Sequence, residues 1–212
     1  MLDPQFKREF FNQIRRDYPD AKIVVCESHL ISEQLIAAAG VPSNLSFDLT
    51  KLSASKAYEV RLDRNDKFYV TSIALGVSNG LQTGKDIINF YPNTDQLTTL
   101  ADGVKIETLY KAKMTVKKDT SVVMEGFSTE ALRYVGSSVL SSIATTGVGA
   151  PDTTRMAVNG FKEAAYPLCA TLPLEGNSIL EVKLDFTTMT ALTSPVSVYL
   201  MLDGFLVKGV CK

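Results

Sequence analysis

The 212-residue chain is poor in the residue types from which most catalytic and metal centres are built. It contains no tryptophan, a single histidine, His29, and three widely spaced cysteines, Cys26, Cys169 and Cys211. One histidine leaves no second base of its kind for a Ser-His-Asp or Cys-His pair. An odd number of distant cysteines argues against a disulfide framework and is typical of a reducing cytoplasm. We therefore expect a non-enzymatic protein that uses no metal or cofactor.

An excess of charge of one sign and long apolar runs are missing as well. The 22 basic and 23 acidic side chains give a formal net charge of -1, so no global field draws the chain to nucleic acid or to an anionic membrane. No run approaches the roughly 18 apolar residues of a membrane-spanning helix. The first residues also lack the apolar core of a signal peptide. We expect neither a membrane partner nor secretion.

Three local patterns resemble functional motifs but lack essential parts. Cys26 and His29 have the spacing of a zinc half-site, which needs two further ligands. Segment 80–86 (GLQTGKD) ends like a phosphate-binding loop, but its glycines are too close together and Asp86 stands where a Ser or Thr would hold magnesium. Asp63 and Asp66 could be read as a pair of catalytic carboxylates, but they lie at a predicted turn, where aspartate is favoured for its own conformational preferences. No catalytic, cofactor-binding or metal-ligating residue is predicted.

Residues 1–42 are interpreted as an α-helical N-terminal arm. Asp3 and Pro4 suit the N-cap and first position of a helix. Tyr18 precedes a proline, and such a residue is displaced from the helical conformation, so the first helix ends there. A second helix is predicted over about 28–39, stopped by the glycine that follows.

The first predicted helix carries an apolar stripe, which must be buried on the chain's own body or on a neighbouring subunit. Both alternatives stay open. Docking on a neighbour would insert the apolar side chains and pair the arginines, so the candidate subunit-contact residues are Phe6, Phe10, Phe11, Ile14, Arg15 and Arg16. At most a weak contact with packaged nucleic acid is expected. Glu9 and Asp17 lie among the basic side chains Lys7, Arg8, Arg15 and Arg16 and reduce the net positive charge of the segment.

Residues 43–212 carry strand signals throughout. Segment 180–186 alternates apolar and charged side chains without a break, which is typical of a strand with one buried face. Segment 196–202 alternates too, and Asp203-Gly204 after it predicts a hairpin turn with a return strand over 205–207. Further strands are predicted over 45–49, 58–63, 67–77, 87–91, 104–116, 121–127 and 161–174.

Two longer loops interrupt these strands, 76–86 with three glycines and 136–160, which is crowded with Ser, Thr, Gly and Ala. Loops of such length are uncommon in compact domains and tend to be functional. No helical period of ten or more residues separates the strands of the body. This excludes alternating βαβ units and predicts an antiparallel sandwich or barrel.

A helical arm, about eight strands, a late Ser/Thr/Gly-rich loop and apolar closing strands together resemble viral, phage-like single jelly-roll virion proteins. The resemblance is carried by the closing segments 172–176 (LPLEG), 182–186 (VKLDF) and 198–204 (VYLMLDG). It implies a mainly β fold, with a single jelly roll over 43–212 after the arm 1–42. It also implies a structural capsid, decoration or minor head protein of a virion, made in the host cytoplasm, whose partners are its own copies and other virion proteins.

Two other functions stay open. A receptor- or glycan-binding β-sandwich of a fibre would use the loops 76–86 and 136–160, although the chain lacks tryptophan, a frequent sugar-stacking side chain. A cupin-like jelly-roll enzyme would need clustered histidines to hold a metal, and the chain has one histidine.

Overall fold

The computed structural model describes residues 4–18, 24–50, 60–78, 105–132 and 165–208. Two antiparallel four-stranded sheets pack as a sandwich, preceded by one α-helix. The elements are α1 (Pro4–Asp17), β1 (Val24–Ile36), β2 (Asn44–Asp48), β3 (Lys67–Ser78), β4 (Lys113–Lys118), β5 (Ser121–Ser128), β6 (Tyr166–Glu175), β7 (Leu180–Asp185) and β8 (Val196–Lys208). Two short 3-10 helices, Glu107–Lys111 and Thr129–Leu132, flank β4 and β5. The predicted mainly β sandwich with an N-terminal helix is confirmed.

Each of the first four strands pairs with its counterpart from the last four. β1 pairs with β8, β2 with β7, β3 with β6 and β4 with β5, always antiparallel. Two further antiparallel ladders, between β3 and β8 and between β4 and β7, join these pairs. The first sheet therefore has the order β1-β8-β3-β6 and the second sheet the order β2-β7-β4-β5.

The main core lies between the two sheets and is built from the inward-facing side chains of both. At its centre are fully buried side chains from the first sheet (Phe68, Ile73, Leu200) and from the second (Phe47, Met114, Val182). Complete burial of one such side chain contributes about 1.5–3 kcal/mol relative to its exposure. The alternation of apolar residues thus produces the sandwich by placing one face of each sheet in this core.

The outer faces of the two sheets differ. In β7 the buried residues alternate with partly or fully exposed Glu181, Lys183 and Asp185, so the second sheet has a solvated outer face. In β8, by contrast, the outward-facing Tyr199 and Met201 are buried as well. The first sheet is therefore covered on both faces along its central strands.

The second predicted helix, over 28–39, is wrong. Strand β1 occupies this part of the chain and pairs along its whole length with β8. Its apolar side chains lie on both faces, Leu30 in the main core and Ile31 against a cluster on the outer face. A strand with two partly buried faces loses the period of two and imitates a helix. The helical arm thus ends before residue 24 instead of extending to residue 42.

The hairpin predicted at Asp203-Gly204 is also wrong, because β8 continues through these residues to Lys208. Gly204 lies between β1 and β3 and faces Val70 of β3. A Cβ atom at Gly204 would collide with the carbonyl oxygen of Tyr69. Glycine therefore permits the close approach of two strands here and does not make a turn.

The other strand predictions differ in outcome. Those over 45–49, 67–77, 121–127 and 180–186 are confirmed within a few residues by β2, β3, β5 and β7, and β6 confirms the described part of 161–174. The prediction over 104–116 is correct only at its end, because a 3-10 helix precedes β4. Of 58–63, only isolated bridges at Val60 and Leu62 are seen. The predicted strand over 87–91 and the predicted loop over 136–160 lie outside the described residues. Of the loop predicted over 76–86, residues 76–78 belong to β3 and the rest lies outside the described residues.

Gly204→Ala is expected to lower the free energy of unfolding by about 3 kcal/mol, because two paired strands must separate to admit the methyl group. Gly126→Ala in β5 is the control, since Gly126 has a φ of 68° but no atom near a prospective Cβ. Its conformational strain should cost only about 1 kcal/mol. Urea unfolding measures both values, and an equal or smaller loss at Gly204 would contradict the close-approach explanation.

Candidate assembly site at the N-terminal helix

Helix α1 lies on the outer face of the first sheet, where it buries the apolar stripe predicted from the sequence. Phe10 and Ile14, one helical turn apart, are only 4 % and 1 % exposed. We call the resulting contact the helix–sheet cluster. It is completed by Phe11 of α1, by Tyr18 directly after the helix, and by side chains of β1, β3 and β8, namely Val25, Tyr69, Phe205 and Val207.

Aromatic rings make up the centre of the helix–sheet cluster. The Phe10 ring centroid lies 4.8 Å from that of Phe205 and 5.2 Å from that of Tyr69, which it meets edge to face. The Phe11 ring centroid lies 5.3 Å from that of Phe205 and 6.0 Å from that of Phe10, so the three phenylalanine rings form a triangle. Such pairs add about 0.5–1.5 kcal/mol each beyond the burial of their area. Phe10 is thus the residue that ties α1 to both central strands of the sheet.

A charged cluster borders this contact and links the two sheets. The Glu175 carboxylate of β6 lies 3.6 Å from Lys67 Nζ of β3 and 3.0 Å from Lys118 Nζ of β4. Because β4 belongs to the second sheet, the carboxylate bridges the sandwich. Lys67 Nζ also lies 5.8 Å from the ring centroid of Tyr18 and 5.4 Å from that of Tyr69. Lys67 therefore connects the end of α1 to the bridge between the sheets.

The charges in this cluster shift one another's protonation. The hydrogen bond from Lys118 holds the pKa of Glu175 below its ordinary value against the effect of burial, and both lysine charges act in the same direction. Burial alone would lower the pKa of Lys67, but its interactions with Tyr18 and Tyr69 outweigh burial and raise it. Burial raises the pKa of the Tyr69 hydroxyl, although Lys67 opposes this. Near neutral pH, Glu175 is therefore a carboxylate and Lys67 an ammonium group.

The exposed side chains of α1 are mostly charged and include three arginines together with Glu9 and Asp17. Arg8, Arg15 and Arg16 are all exposed, and Asn12 lies between them on the same side of the helix. Arg16 Nε donates a hydrogen bond to the carbonyl oxygen of Asn12 at 3.4 Å. We call Arg8, Arg15 and Arg16 the arginine row.

The structure separates the predicted subunit-contact residues into two groups. Phe10 and Ile14 are buried within their own chain and Phe11 packs at the margin, whereas Arg15 and Arg16 are exposed. The side chain of Phe6 lies outside the described residues. Of the two alternatives for the apolar stripe, the structure contains the intramolecular one. Insertion of these side chains into a neighbouring subunit stays a prediction, and it would require α1 to leave this site.

The sheet residues that receive the helix, Tyr69, Phe205 and Val207, are not among the residues predicted from the sequence. A signal for them is present in β8, where four of the six outward positions are apolar, namely Tyr199, Met201, Phe205 and Val207, and only Ser197 and Asp203 are polar. The outward positions of β7 are charged. An apolar outward row in a strand predicts that another element covers that face.

Cys26 and His29 do not form a metal half-site. They lie on β1 rather than on a helix, and residues three apart on a strand point to opposite faces. The Cys26 Sγ atom lies 3.8 Å from the carbonyl oxygen of Leu206. Within the described parts of the chain, no group of three or more His, Cys, Asp and Glu side chains could hold a metal ion.

His29 also lies in a row that contains the residue types of a catalytic triad. It is paired with Asp203 of β8, which in turn is paired with Ser72 of β3. The aspartate therefore stands between the other two residues. His29 and Ser72 are two strand spacings apart, about 10 Å, whereas a triad needs the histidine in hydrogen-bond contact with the nucleophile. This row does not have triad geometry.

The chain matches no protein-family model and no curated protein sequence. Over the ranges that the structure describes, no helix is both long enough and apolar enough to cross a membrane.

Phe10→Ala is expected to weaken the docking of α1 by about 3 kcal/mol, because it removes the ring that contacts both central strands. The amides of α1 should then exchange with deuterium about 100-fold faster, since local opening sets their protection. Asn12→Ala, on the solvent side of the same helix, is the control and should leave exchange nearly unchanged. Similar exchange rates in the two variants would show that the helix–sheet cluster does not hold α1.

Glu175→Gln is expected to destabilise the protein by up to about 1 kcal/mol at pH 7, a small effect because the carboxylate is partly exposed. The pKa of Glu175 is lowered by folding, so its contribution is present above the unfolded pKa and is lost as the pH falls through the folded value. The two proteins should therefore converge in acid. Urea unfolding over a pH series measures this, and a Lys118→Gln background should reduce the difference. A constant difference at all pH values would contradict the ionic bridge.

Proposed function

We propose that the chain is a non-enzymatic structural protein of a virion, a capsid, decoration or minor head component that assembles with its own copies or docks on a viral shell. The observation that carries the proposal is the pairing of β1, β2, β3 and β4 with β8, β7, β6 and β5, respectively. A long hairpin of four strand pairs that wraps into two sheets produces this order. It supports a single jelly roll, an eight-stranded architecture that many viral capsid domains use.

The two outer faces of the sandwich also suit a wall-forming subunit. The outer face of the second sheet is polar, and some of its charged side chains have partners within the same face. Lys183 Nζ lies 2.8 Å from the Asp185 carboxylate, and the Ser46 hydroxyl donates a hydrogen bond to Glu181. The opposite face is covered by α1. A subunit with two chemically different outer faces suits a shell, which has an inside and an outside.

The sheet edges formed by β5 and β6 do not favour continuation of a sheet into a neighbouring subunit. β6 contains Pro167 and Pro173, which cannot donate ladder hydrogen bonds. In the β5 ladder the register shifts twice, and Gly126 has a positive φ. Prolines and bulges are devices that protect edges from strand addition. Contacts between subunits on this side should therefore use side chains.

Exposed apolar side chains near these edges are our candidates for such a contact. Val122 and Val123 of β5 are 49 % and 41 % exposed, and Ile179 before β7 is 62 % exposed. Ile179 is held beside the β4–β5 turn, where its carbonyl oxygen accepts a hydrogen bond from Asp119 N at 2.8 Å. Exposed apolar residues that are close together are typical of interaction surfaces. We infer that a second copy covers them.

The alternative function is a receptor- or glycan-binding module, since lectin domains also use the jelly roll. Its candidate loops, 79–86 and 136–160, lie outside the described residues. A cupin-like enzyme is the third hypothesis. Both alternatives predict a chain whose activity does not depend on forming a large assembly.

The mass in solution over a concentration series tests the proposal. Light scattering should show large or closed oligomers for the wild type, and Val122→Asp should shift them to the monomer, because an unpaired charge is costly inside an interface. Val41→Asp, at a valine that is 57 % exposed elsewhere on the sandwich, is the matched control. A wild type that stays monomeric at every concentration, with or without other virion proteins, would contradict the shell function and favour the binding module.

A further inference from the structure

The outer side of α1 carries a stripe of polar side chains that faces away from the sheet. Asn12 lies about 180° around the helix axis from the midpoint of the buried Phe10 and Ile14. Glu9 and Arg16 lie within about 60° of Asn12, both on the same side of it and only about 20° from each other. All three side chains are exposed. We call Glu9, Asn12 and Arg16 the polar stripe.

The polar stripe has opposite charges at its two ends. Glu9 and Arg16 are separated by about 10 Å along the helix axis, at about 1.5 Å per residue, and Asn12 lies close to the midpoint between them. A second α1 that runs antiparallel along the stripe therefore brings Glu9 of each helix opposite Arg16 of the other. The two-fold axis of such a pair passes beside Asn12.

The charges select one orientation for two such helices. A parallel pair would place Glu9 opposite Glu9 and Arg16 opposite Arg16, and like charges in contact oppose association. In the antiparallel pair both contacts join a carboxylate to a guanidinium group. In a two-fold contact between identical chains, residue i meets residue j and residue j meets residue i. The polar stripe meets this requirement.

The other side of Asn12 would repel a second copy. Arg8 and Arg15 lie there, within about 60° of Asn12, and an antiparallel partner would meet them with its own arginines. Arg15 has the same charge as Arg16 and is exposed like it. The two neighbouring arginines are therefore expected to have different effects on self-association.

We propose that the polar stripe is a self-association surface, on which a second copy of the chain packs its own α1 antiparallel across a two-fold axis. This inference rests on the assembly function proposed above and identifies one contact through which copies meet. The Arg16 Nε atom donates to the carbonyl oxygen of Asn12. The two terminal nitrogen atoms of the same guanidinium group can donate two parallel hydrogen bonds to the carboxylate of the partner's Glu9.

The acidic residues distinguish this surface from one that fits an anionic partner. Glu9 lies about 20° from Arg16 around the axis, and Asp17 directly follows Arg16. A nucleic acid or an anionic membrane would meet these carboxylates beside the arginines, whereas a second copy uses both signs of charge. The apolar side of α1 does not serve lipid either, because Phe10 and Ile14 are buried in the helix–sheet cluster.

The contact is expected to be weak by itself. Exposed ion pairs contribute little to stability and are screened by salt. Their main effect is on the orientation and register of a contact. In an assembly, several weak contacts act together, because each one raises the effective concentration for the next.

Charge reversal at the two ends of the polar stripe tests the proposal. Glu9→Arg makes both ends positive and Arg16→Glu makes both ends negative, so each variant repels its own copies. At low ionic strength each variant should self-associate about tenfold more weakly than the wild type. An equimolar mixture of the two variants should associate within about twofold of the wild type, because every pair is attractive again. Sedimentation over a concentration series measures each sample.

Arg15→Glu is the matched control. It makes the same charge change as Arg16→Glu on the same helix, but outside the polar stripe, and should not weaken self-association. All three positions are exposed, so circular dichroism should be unchanged in every variant. Equal losses in Arg15→Glu and Arg16→Glu, or a mixture that associates no better than its two components, would overturn the proposal.

The same samples separate this inference from the proposed function. Large assemblies that no charge reversal weakens would overturn the contact through α1 and leave the shell function standing. Wild-type dimers that depend on Glu9 and Arg16, and that grow no further at any concentration or with other virion proteins, would support the contact and contradict the shell function. A wild type that is monomeric at every concentration would overturn the contact.

Discussion

The structure depends on one constraint, the burial of the first sheet on both of its faces. Its central strands β3 and β8 carry apolar side chains toward the main core and also away from it. Without α1, Tyr69, Phe205 and Val207 would form an apolar patch in water. The burial of Phe10 and Ile14 against them stabilises helix and sheet together, because neither apolar surface is stable alone in water.

This docking decides which surfaces the protein offers to partners. The apolar stripe of α1 is buried within the chain, so the helix presents its charged side chains to solvent, the arginine row among them. The cluster of Lys67, Glu175 and Lys118 extends the connection from the end of the helix to the second sheet. A shift of α1 would therefore change the packing of the first sheet, the environment of the bridge and the exposure of the arginine row at the same time.

Strands with one solvated face could be predicted from the sequence, and so could most of β3 and β8, but β1 could not. β7 alternates cleanly because water sets the polarity of its outer side. β1 carries Leu30 and Ile31 on opposite faces, so its pattern imitates a helix, and its true conformation depends on pairing with β8 far along the chain. Asp203-Gly204 is a dipeptide typical of turns. Glycine is needed at position 204, however, because the carbonyl oxygen of Tyr69 on the neighbouring strand leaves no room for a Cβ atom.

Only the helix side of the candidate site could be predicted from the sequence. The helical spacing of Phe10 and Ile14 identifies the stripe, and exposed arginines follow from their place on the opposite side. The receiving surface on β3 and β8 requires the register between strands about 130 residues apart, which local patterns do not contain. For the same reason the sequence left open whether the stripe is buried within the chain or on a neighbour.

The most direct test is to measure contacts between the rings of Phe10 and Phe205 by nuclear Overhauser effects in a mixture of isotope-labelled and unlabelled chains. The ring centroids are 4.8 Å apart, so strong effects are expected. The account predicts that they arise within a single labelled chain. Effects between labelled and unlabelled chains would show that α1 docks on a neighbouring subunit, and the intramolecular helix–sheet cluster would then be contradicted.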